Sequence, residues 1–405
     1  MSAPGPSVAT DSRSAVAVDA GEGYDAVAAE DWDECVPPGS GVLKHGFLAA
    51  WERCELRNLA TRPLTAHEDG SGQLVAACPA QFYDLDVPTS VGIPGMTGLA
   101  GTIRRAWGGF LFARLFEVSG PAPLSDPFLV RDPAQRSSRI GALIDEAVEE
   151  GNRGHAQLIL VQDFSSADGA AGEELARRGF TCVSLPPAAA MAVPYDSFDD
   201  YLGAMRRRYR RNARDVLEQS GHLRVERRET FDELAAELAR LWRVIYERAG
   251  EAKREILTPA FFRAVSDLEG SSVLVLRRED DSIAAFGLLL ADEPWLYFLQ
   301  CGFEEEVART EGAYYRLMYE VVRFAIDHGL ERVDLGITSL EPKLGIGGVA
   351  IPLHGWVKHT NPLLQPAISL LGPRMARPPE PKPRNVFKEP PVSAEELAAE
   401  RTPTS

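Results

Sequence analysis

A dense run of arginines is the first feature of the sequence that could do chemistry. Six arginines surround Tyr209 within residues 206–214, namely Arg206, Arg207, Arg208, Arg210, Arg211 and Arg214. On a helix, Arg207, Arg211 and Arg214 share one face. Because like charges repel and arginine pairs two phosphate oxygens at once, the run predicts a clamp for a phosphate-bearing ligand, with Arg208, Tyr209 and Arg211 as binding residues. A solvated basic face is the alternative interpretation.

The second candidate is the loop 309–314, which follows an apolar strand and leads into a helix. A glycine at this place lets a phosphate approach the unpaired amide groups of the helix start, which the helix dipole makes locally positive. Arg309, Gly312 and Ala313 are therefore predicted to bind a pyrophosphate or a similar group of a co-substrate. An ordinary turn before a helix is the alternative.

The third candidate is Lys343, one of six lysines, which lies in the glycine-rich segment 341–348. It is predicted to neutralise a phosphate or the oxyanion that develops on an attacked carbonyl. Glu341 and Asp334 are nearby carboxylates that can accept a proton from an ammonium group, but neither is assigned as the base. A surface lysine in a flexible loop is the alternative for Lys343.

Other catalytic patterns are missing from the sequence. The five cysteines form no C-x-x-C pair, so neither a metal site nor a disulfide framework is predicted. The sequence contains no Gly-x-Ser-x-Gly elbow that would favour a covalent serine mechanism. His354, on a strand of alternating polarity, remains a candidate substrate contact, although lone histidines are more often structural. No tightly bound cofactor is expected.

Composition restricts the class of protein. The chain has 405 residues, with 43 basic and 59 acidic side chains and a net charge of −16. This charge argues against a protein that coats nucleic acid with its whole surface, although a local basic patch remains possible. No apolar run is long enough for a membrane span and no secretory signal is visible, so a cytoplasmic protein is predicted.

The pattern of helices and strands predicts an α+β fold of two similar units, each a mixed, mainly antiparallel sheet flanked by helices. We expect a disordered tail over residues 1–25, domains over 26–195 and 196–372, and a proline-rich flexible tail over 373–405. Both ends should therefore tolerate deletion. Among the elements, we predict one strand over 73–82, one helix over 198–219 and a loop that joins the strand 295–301 directly to a helix at 312.

The second unit resembles the acyl-donor half of the GNAT acyltransferases, whose loop runs Arg/Gln-x-x-Gly-x-Gly/Ala. Arg309 and Gly312 match this loop, whereas Tyr314 replaces the final small residue and is expected to crowd a CoA pyrophosphate. Residues 43–368 resemble tandem GNAT proteins of peptidoglycan biosynthesis or recognition, which are relatives of the Fem-type aminoacyl-tRNA-dependent transferases. The likeness lies in the segments 72–77, 198–202, 296–297, 313–315, 325–330, Gly336 and 343–344.

The resemblance implies an N-acyltransferase that forms an amide by direct attack of an amine on an activated carbonyl. The donor would be acyl-CoA, an acyl carrier protein or aminoacyl-tRNA, and the acceptor an amine of a small molecule or a cell-wall-like precursor. Candidate catalytic residues are Lys343, Glu341 and Tyr315, and candidate substrate contacts are Tyr297, Gln300 and His354. The family's arginine after the segment 296–297 is Leu299 or Gln300 here, its histidine before Lys-Leu is Pro342, and its following arginine is Ile346, which favours a changed acceptor. A catalytically degenerate GNAT pair that binds a nucleotide or a protein is the alternative.

Overall fold

The fold is described by a computed structural model for residues 16–56, 60–86, 112–124, 126–248, 255–375 and 381–401, and strands and helices are mixed throughout these ranges. The strands are β1 (Val16–Ala20), β2 (Glu55–Leu56), β3 (Ala60–Thr61), β4 (Leu64–Glu68), β5 (Leu74–Cys78), β6 (Ala80–Asp86), β7 (Phe112–Val118), β8 (Leu129–Val130), β9 (Leu158–Phe164), β10 (Thr181–Ala192), β11 (Arg224–Arg228), β12 (Glu255–Ile256), β13 (Ser271–Arg277), β14 (Ile283–Asp292), β15 (Trp295–Phe303), β16 (Arg332–Gly336) and β17 (Val349–His359). The helices are α1 (Ala29–Asp33), α2 (His45–Trp51), α3 (Arg136–Arg153), α4 (Ala170–Arg177), α5 (Phe198–Ala204), α6 (Arg207–Gln219), α7 (Ala235–Arg248), α8 (Pro259–Ser266), α9 (Glu305–Thr310), α10 (Ala313–Asp327), α11 (Leu340–Gly345), α12 (Gln365–Met375) and α13 (Ala394–Arg401).

One large sheet unites both halves of the chain. It has eleven strands in the order β11-β13-β14-β15-β16-β10-β17-β9-β7-β6-β3. Its neighbours pair antiparallel except at β15/β16 and β7/β9, which are parallel. A smaller sheet, β1-β4-β5-β8, is antiparallel. The predicted α+β class with mainly antiparallel sheets flanked by helices is confirmed.

The two halves interlock in the middle of the large sheet. Strand β10 belongs to the first half of the chain but lies between β16 and β17 of the second half. Strand β17 in turn lies between β10 and β9 of the first half. Each half therefore contributes a strand to the other's side of the sheet. The proposed boundary between residues 195 and 196 remains a prediction.

Hydrophobic cores cover both faces of the second half of the sheet. Along β13, Val273 and Val275 belong to one core while Leu274 and Leu276 belong to the other, as expected when alternate side chains point to opposite faces. The first face is covered by α2, α7, α8 and α13, and the second by α5, α6 and α10. A third core lies beneath α3 in the first half.

Several predicted elements differ in their bounds. The helix expected over 198–219 is broken at Met205 and Arg206, whose extended backbones pair with the C-terminal segment at Phe387 and Val386. The strand expected over 73–82 is divided at Pro79, so that β5 joins the small sheet and β6 the large one. A proline has no amide proton for the ladder, which explains the break.

Two terminal segments are more ordered than the sequence predicts. The disordered tail expected over residues 1–25 is wrong for 16–20, because β1 pairs with β4, and Tyr24 is buried. The flexible tail expected over 373–405 is wrong for 381–401. There Phe387 and Leu397 are 5% and 1% exposed, and two hydrogen bonds of 2.8 Å join Arg332 to Glu400. Contacts with residues that are distant in the sequence hold both segments in place. Such contacts leave no periodic pattern in the local sequence. Neither end is therefore expected to be freely removable.

None of the helices in the described ranges has both the length and the apolar content needed to cross a bilayer.

The docking of the C-terminal segment gives a first prediction. Replacing Leu397 with alanine should lower the free energy of unfolding by about 2–5 kcal/mol, because it removes a fully buried side chain and leaves a cavity. Urea unfolding followed by circular dichroism measures this change. Leu363→Ala is the control, since Leu363 is 85% exposed and should change stability by less than about 0.5 kcal/mol. Equal, small effects of both substitutions would contradict the docking.

Candidate active site

The site forms where the parallel strands β15 and β16 separate. They pair only at residues 295–297 and 332–334. Beyond this, β15 continues beside β14 to Phe303, whereas β16 ends at Gly336. A register shift against Leu288 and Leu289 leaves Leu299 without an opposite residue, which marks a bulge. The strands therefore open a gap that starts after Tyr297, which we call the strand opening.

Lys343 extends from α11 towards the strand opening. Its side chain is 3% exposed, and Nζ lies 3.8 Å from the position that a Cβ atom on Gly336 would take. Nζ forms no hydrogen bond or ion pair with any residue in the described ranges. Burial lowers the pKa of Lys343 to about 8, while Cys301 and Asp334 act in the opposite direction. The ammonium is therefore a buried donor whose protons are unused.

Asp334 is a carboxylate that borders the strand opening. Its side chain is buried, and Oδ1 accepts a hydrogen bond of 2.8 Å from the Gly336 amide, while Oδ2 has no hydrogen-bond partner among the described residues. Burial raises the pKa of Asp334, an effect that Arg401 and Lys343 oppose. Arg401 Nη2 lies 3.8 Å from Oδ2. A carboxylate in this state is a better proton acceptor than a solvated one.

Glu341 lies away from the strand opening. Its carboxylate is 79% exposed and pairs with Arg384. It precedes Lys343 by two residues on a helix, and residues at that spacing do not share a face. Tyr315, the other predicted catalytic residue, is 38% exposed on α10 and its ring lies 6.3 Å from that of Tyr314. The structure thus places Lys343 at the strand opening and Glu341 outside it.

The three predicted substrate contacts lie in different places. Tyr297 is buried, with Oη donating to the Gly39 carbonyl at 2.5 Å and accepting from Arg401 Nη1 at 2.7 Å. Gln300 Oε1 accepts a hydrogen bond of 2.9 Å from Trp242 Nε1. His354 lines a separate large cavity, and burial lowers its pKa. Tyr297 and Gln300 therefore border the strand opening, and His354 does not.

The segment 309–314, predicted as a loop, contains the end of one helix, the residues Glu311 and Gly312, and the start of the next helix. The short helix α9 lies between β15 and α10, whereas the sequence predicted a direct connection. Gly312 caps α10 with a φ of 67°, and a Cβ atom added there would lie 3.8 Å from Val216 Cγ1 and 3.9 Å from Gln219 Oε1. Ala313 is buried at the start of α10 and Arg309 is exposed on α9. Only a glycine takes this backbone conformation without strain.

Tyr314 fills the space next to this loop. Its ring centroid lies 5.5 Å from that of Phe303, and burial raises its pKa well above the usual range, with Cys301 adding to the effect. Burial also raises the pKa of Cys301 to about 11, so the thiol is protonated and a poor nucleophile. The tyrosine thus packs against Phe303 and the core, at the position where the GNAT pattern has a small residue.

The arginine run forms an exposed surface at the start of α6. Arg207, Arg208, Arg211 and Arg214, which we call the arginine face, are all exposed, and only Arg211 has an ion-pair partner in the described ranges, Asp215 at 3.7 Å. The first turn of α6 carries no acidic residue that would offset the helix dipole. Arg206 and Arg210 bind the Phe387 and Gly203 carbonyls, and Tyr209 packs against the core. Four of the six arginines thus form an exposed basic surface, in which Arg211 alone has an ion-pair partner among the described residues.

The sequence did not reveal how the first half and the C-terminal segment cover the strand opening. A cavity of about 40 Å³ there is bordered by Phe47, Trp51 and Pro121–Pro123 on one side and by β15, Asp334 and Gly336 on the other. Arg401 stacks over the Trp295 ring with Cζ 3.5 Å from its centroid. No local signal identifies these contacts, because they join residues hundreds of positions apart. The described ranges contain no cluster of three or more His, Cys, Asp or Glu side chains that could hold a metal ion.

Comparisons with known proteins identify a domain family for part of the chain. Residues 203–343 match the family model of the acetyltransferase (GNAT) domain. A Mycobacterium tuberculosis (strain ATCC 25618 / H37Rv) protein named "Putative 8-amino-7-oxononanoate synthase 2" is 26% identical over 269 residues, which are 64% of this chain and 35% of that protein. The chain thus spans about a third of the length of the curated relative it matches.

Two solved structures extend the likeness to most of the chain. FemX has a TM-score of 0.53 at 15% identity, over 85% of this chain and 98% of that chain. A tandem GNAT protein from the clavulanic acid biosynthesis pathway has a TM-score of 0.50 at 12% identity, over 86% of this chain and 99% of that chain. The matched domain contains β15, the loop 309–314 and Lys343. Residues 203–343 are therefore a GNAT acetyltransferase domain by their match to the family model, and most of the chain shares its fold with FemX and with a tandem GNAT protein.

Proposed function

We propose that this acyltransferase forms an amide by direct transfer of an acyl or aminoacyl group to an amine at the strand opening. The observation that carries the proposal is the buried ammonium of Lys343, whose Nζ has no partner within the described residues. A positive charge in a water-poor site stabilises the oxyanion that forms when an amine attacks a carbonyl. Positioning of the two substrates supplies much of the remaining rate, so no covalent enzyme intermediate is required.

Proton transfer completes the proposed reaction. The amine nitrogen forms a bond to the carbonyl carbon, the bond from that carbon to the donor's oxygen or sulfur breaks, and the leaving atom takes up a proton. We assign acceptance of the proton from the attacking nitrogen to Asp334, because its Oδ2 has no hydrogen-bond partner in the described structure and its pKa is raised by burial. Glu341, exposed and paired with Arg384, is the weaker candidate.

Aminoacyl-tRNA is our preferred donor. We expect Tyr314, which packs against Phe303 where the GNAT pattern has a small residue, to crowd a CoA pyrophosphate. The arginine face presents four exposed guanidinium groups, of which one is paired, in a protein of net charge −16. A polyanion offsets their mutual repulsion. This donor implies a cytoplasmic reaction, with residues 196–372 as the donor-binding unit and an amine of a small molecule or cell-wall-like precursor as acceptor.

An acyl-CoA or carrier-protein thioester is the second candidate donor. It is favoured by Gly312, which caps α10 in the left-handed conformation without a side-chain hydrogen bond, because the unpaired amides of a helix start attract a phosphate. A catalytically degenerate pair that only binds a nucleotide or protein is the remaining alternative. Incubating the protein with charged tRNA or acyl thioesters and a panel of amines, followed by intact-mass detection of amide products, separates the three.

The first test of the mechanism replaces Lys343. Lys343→Met should lower turnover on the order of a hundredfold, because it removes one charge-stabilising donor from a buried site. Lys358→Met is the control: Lys358 is also partly buried on β17 but bonds the Arg178 carbonyl at 2.8 Å near the strand's far end. Melting temperatures verify that both variants fold. Near-normal turnover of Lys343→Met would refute the assignment.

The pH dependence gives a second test. The active ammonium form of Lys343 predominates below its pKa of about 8, so turnover should fall as the pH rises through this value. The residual rate of Lys343→Met should show no such fall, because the titrating group is absent. Rates are measured from pH 6 to about 10 at saturating substrate. The same alkaline fall in both proteins would assign it to another group.

The arginine face gives a third test. The double variant Arg208→Ala, Arg211→Ala should bind tRNA more weakly, and the slope of log affinity against log salt should become shallower by about one to two units. Fluorescence anisotropy with labelled tRNA measures both quantities. Arg263→Ala, which removes an exposed arginine from α8 on the other face of the sheet, is the matched control. Unchanged affinity and slope in the double variant would exclude the arginine face as the tRNA contact.

A further inference from the structure

A cavity of about 790 Å³ lies beside α11, apart from the strand opening. Its floor is formed by β10 and the first residues of β17, and Leu344, next to Lys343, lies in its wall. Gly347 and Gly348, which connect α11 to β17, complete that side. The volume is within the roughly 300–1,000 Å³ range of small-molecule sites. The cavity thus borders the same short segment that carries the proposed catalytic ammonium.

The C-terminal segment forms the roof of this cavity. Nearly half of the lining residues belong to positions 381–397. The roof is attached at one end by the Arg206 amide, which donates to the Val386 carbonyl at 2.8 Å. It is attached at the other end by the Arg332–Glu400 pair and by the buried Leu397. Gly347 permits this docking, because a Cβ there would lie 2.4 Å from the Phe387 ring. The roof of the cavity is therefore attached to the rest of the fold at both of its ends.

The chemistry of the lining indicates what the cavity accepts. Six lining residues are prolines, Pro187, Pro352, Pro381, Pro383, Pro390 and Pro391, which have no amide proton to donate. Arg384 is the one permanently charged residue in the described lining, and its guanidinium is paired with Glu341. Burial lowers the pKa of His354, which favours the uncharged imidazole. These walls provide few hydrogen-bond donors and little unpaired positive charge for an anion, but a large contact area for an apolar group.

We propose that this roofed cavity is a substrate subsite that binds the uncharged, apolar part of a reactant of the acyl transfer. The proposal rests on the proposed function for its place in the reaction, but binding itself does not require turnover. The apolar part belongs either to the amine acceptor or to the acyl group of the donor. In both cases we expect its reactive end to lie at the side of the cavity formed by Leu344, the neighbour of Lys343 in the sequence.

The test uses the full chain and the uncharged fluorescent probe N-phenyl-1-naphthylamine. We expect saturable, one-site binding by the wild type. Ser184→Trp and Ala350→Phe, which place bulk in the cavity from an exposed and a partly exposed position, should each weaken binding at least tenfold. Ser138→Trp, at an exposed position of α3, should bind the probe as the wild type does. Melting temperatures verify that the variants fold. Because Ser184 and Ala350 lie at different places in the cavity lining, weaker binding in both variants indicates that the probe occupies the cavity.

Displacement of the probe distinguishes the two sources of the apolar group. Decylamine represents an apolar acceptor, and S-decanoyl-N-acetylcysteamine represents an acyl donor without phosphates. Displacement by one of them supports the subsite and names the reactant. Wild-type probe affinity in both filling variants, or failure of both compounds to displace the probe, would overturn the proposal. If the probe is displaced but no amide ever forms, the subsite stands and the proposed reaction fails.

Discussion

The position of β10 between β16 and β17 is the constraint on which the candidate site depends. Ala189 of β10 lies opposite Gly336, the last residue of β16, and also opposite Ala350 at the start of β17. Strand β16 therefore ends at the level where β17 begins. The chain between them has to cross one intervening strand, a distance of roughly 9–10 Å. The short helix α11 makes this crossing, and it carries Lys343 to the edge of the strand opening.

This crossing places the charged side chain of Lys343 in the interior of the protein, where Asp334 is also buried. Lys343 and Asp334 are both buried, and burial shifts the pKa of each towards its neutral form, down for the lysine and up for the aspartate. Arg401 adds a further buried charge, held by the Gly39 carbonyl and by Tyr297 Oη. Hydrogen-bonding capacity nevertheless remains unused on Asp334 Oδ2 and on Arg401 Nε and Nη2 within the described structure. Unused polar groups of this kind are typical of sites that complete their bonding with a substrate.

Much of the fold was predictable from the sequence because it depends on local patterns. The apolar runs of β13, β14 and β15, and the helical periodicity of α7 and α10, gave the order of elements and the α+β class. Lys343 was predicted as a catalytic residue because lysine is rare in the chain and because the resemblance places it there. The exposed position of Glu341 was not predicted, because the glycine-rich segment 341–348 was interpreted as a loop, whereas residues 340–345 form a helix.

The rest could not be predicted because it depends on contacts between distant residues. The exchange of β10 and β17 leaves no trace in the periodicity of either strand. Residues 381–401 bind through backbone pairing at Phe387, an ion pair at Glu400 and burial of Leu397, while their proline content is typical of a flexible tail. Arg401 was missed for the same reason. Its partners Gly39 and Tyr297 are separated from it by 362 and 104 positions in the chain.

The exchanged strands also determine the order in which the molecule can assemble. During synthesis, β9 and β10 emerge long before β17, and the place between them in the sheet stays vacant until residues 349–359 have been made. Closing that gap requires pairing of residues about two hundred positions apart, such as Leu158 with His359. Such non-local pairing is slow, and unpaired strand edges are exposed meanwhile. Until β17 has been made, β9 and β10 therefore each keep one strand edge without the partner that it has in the finished sheet.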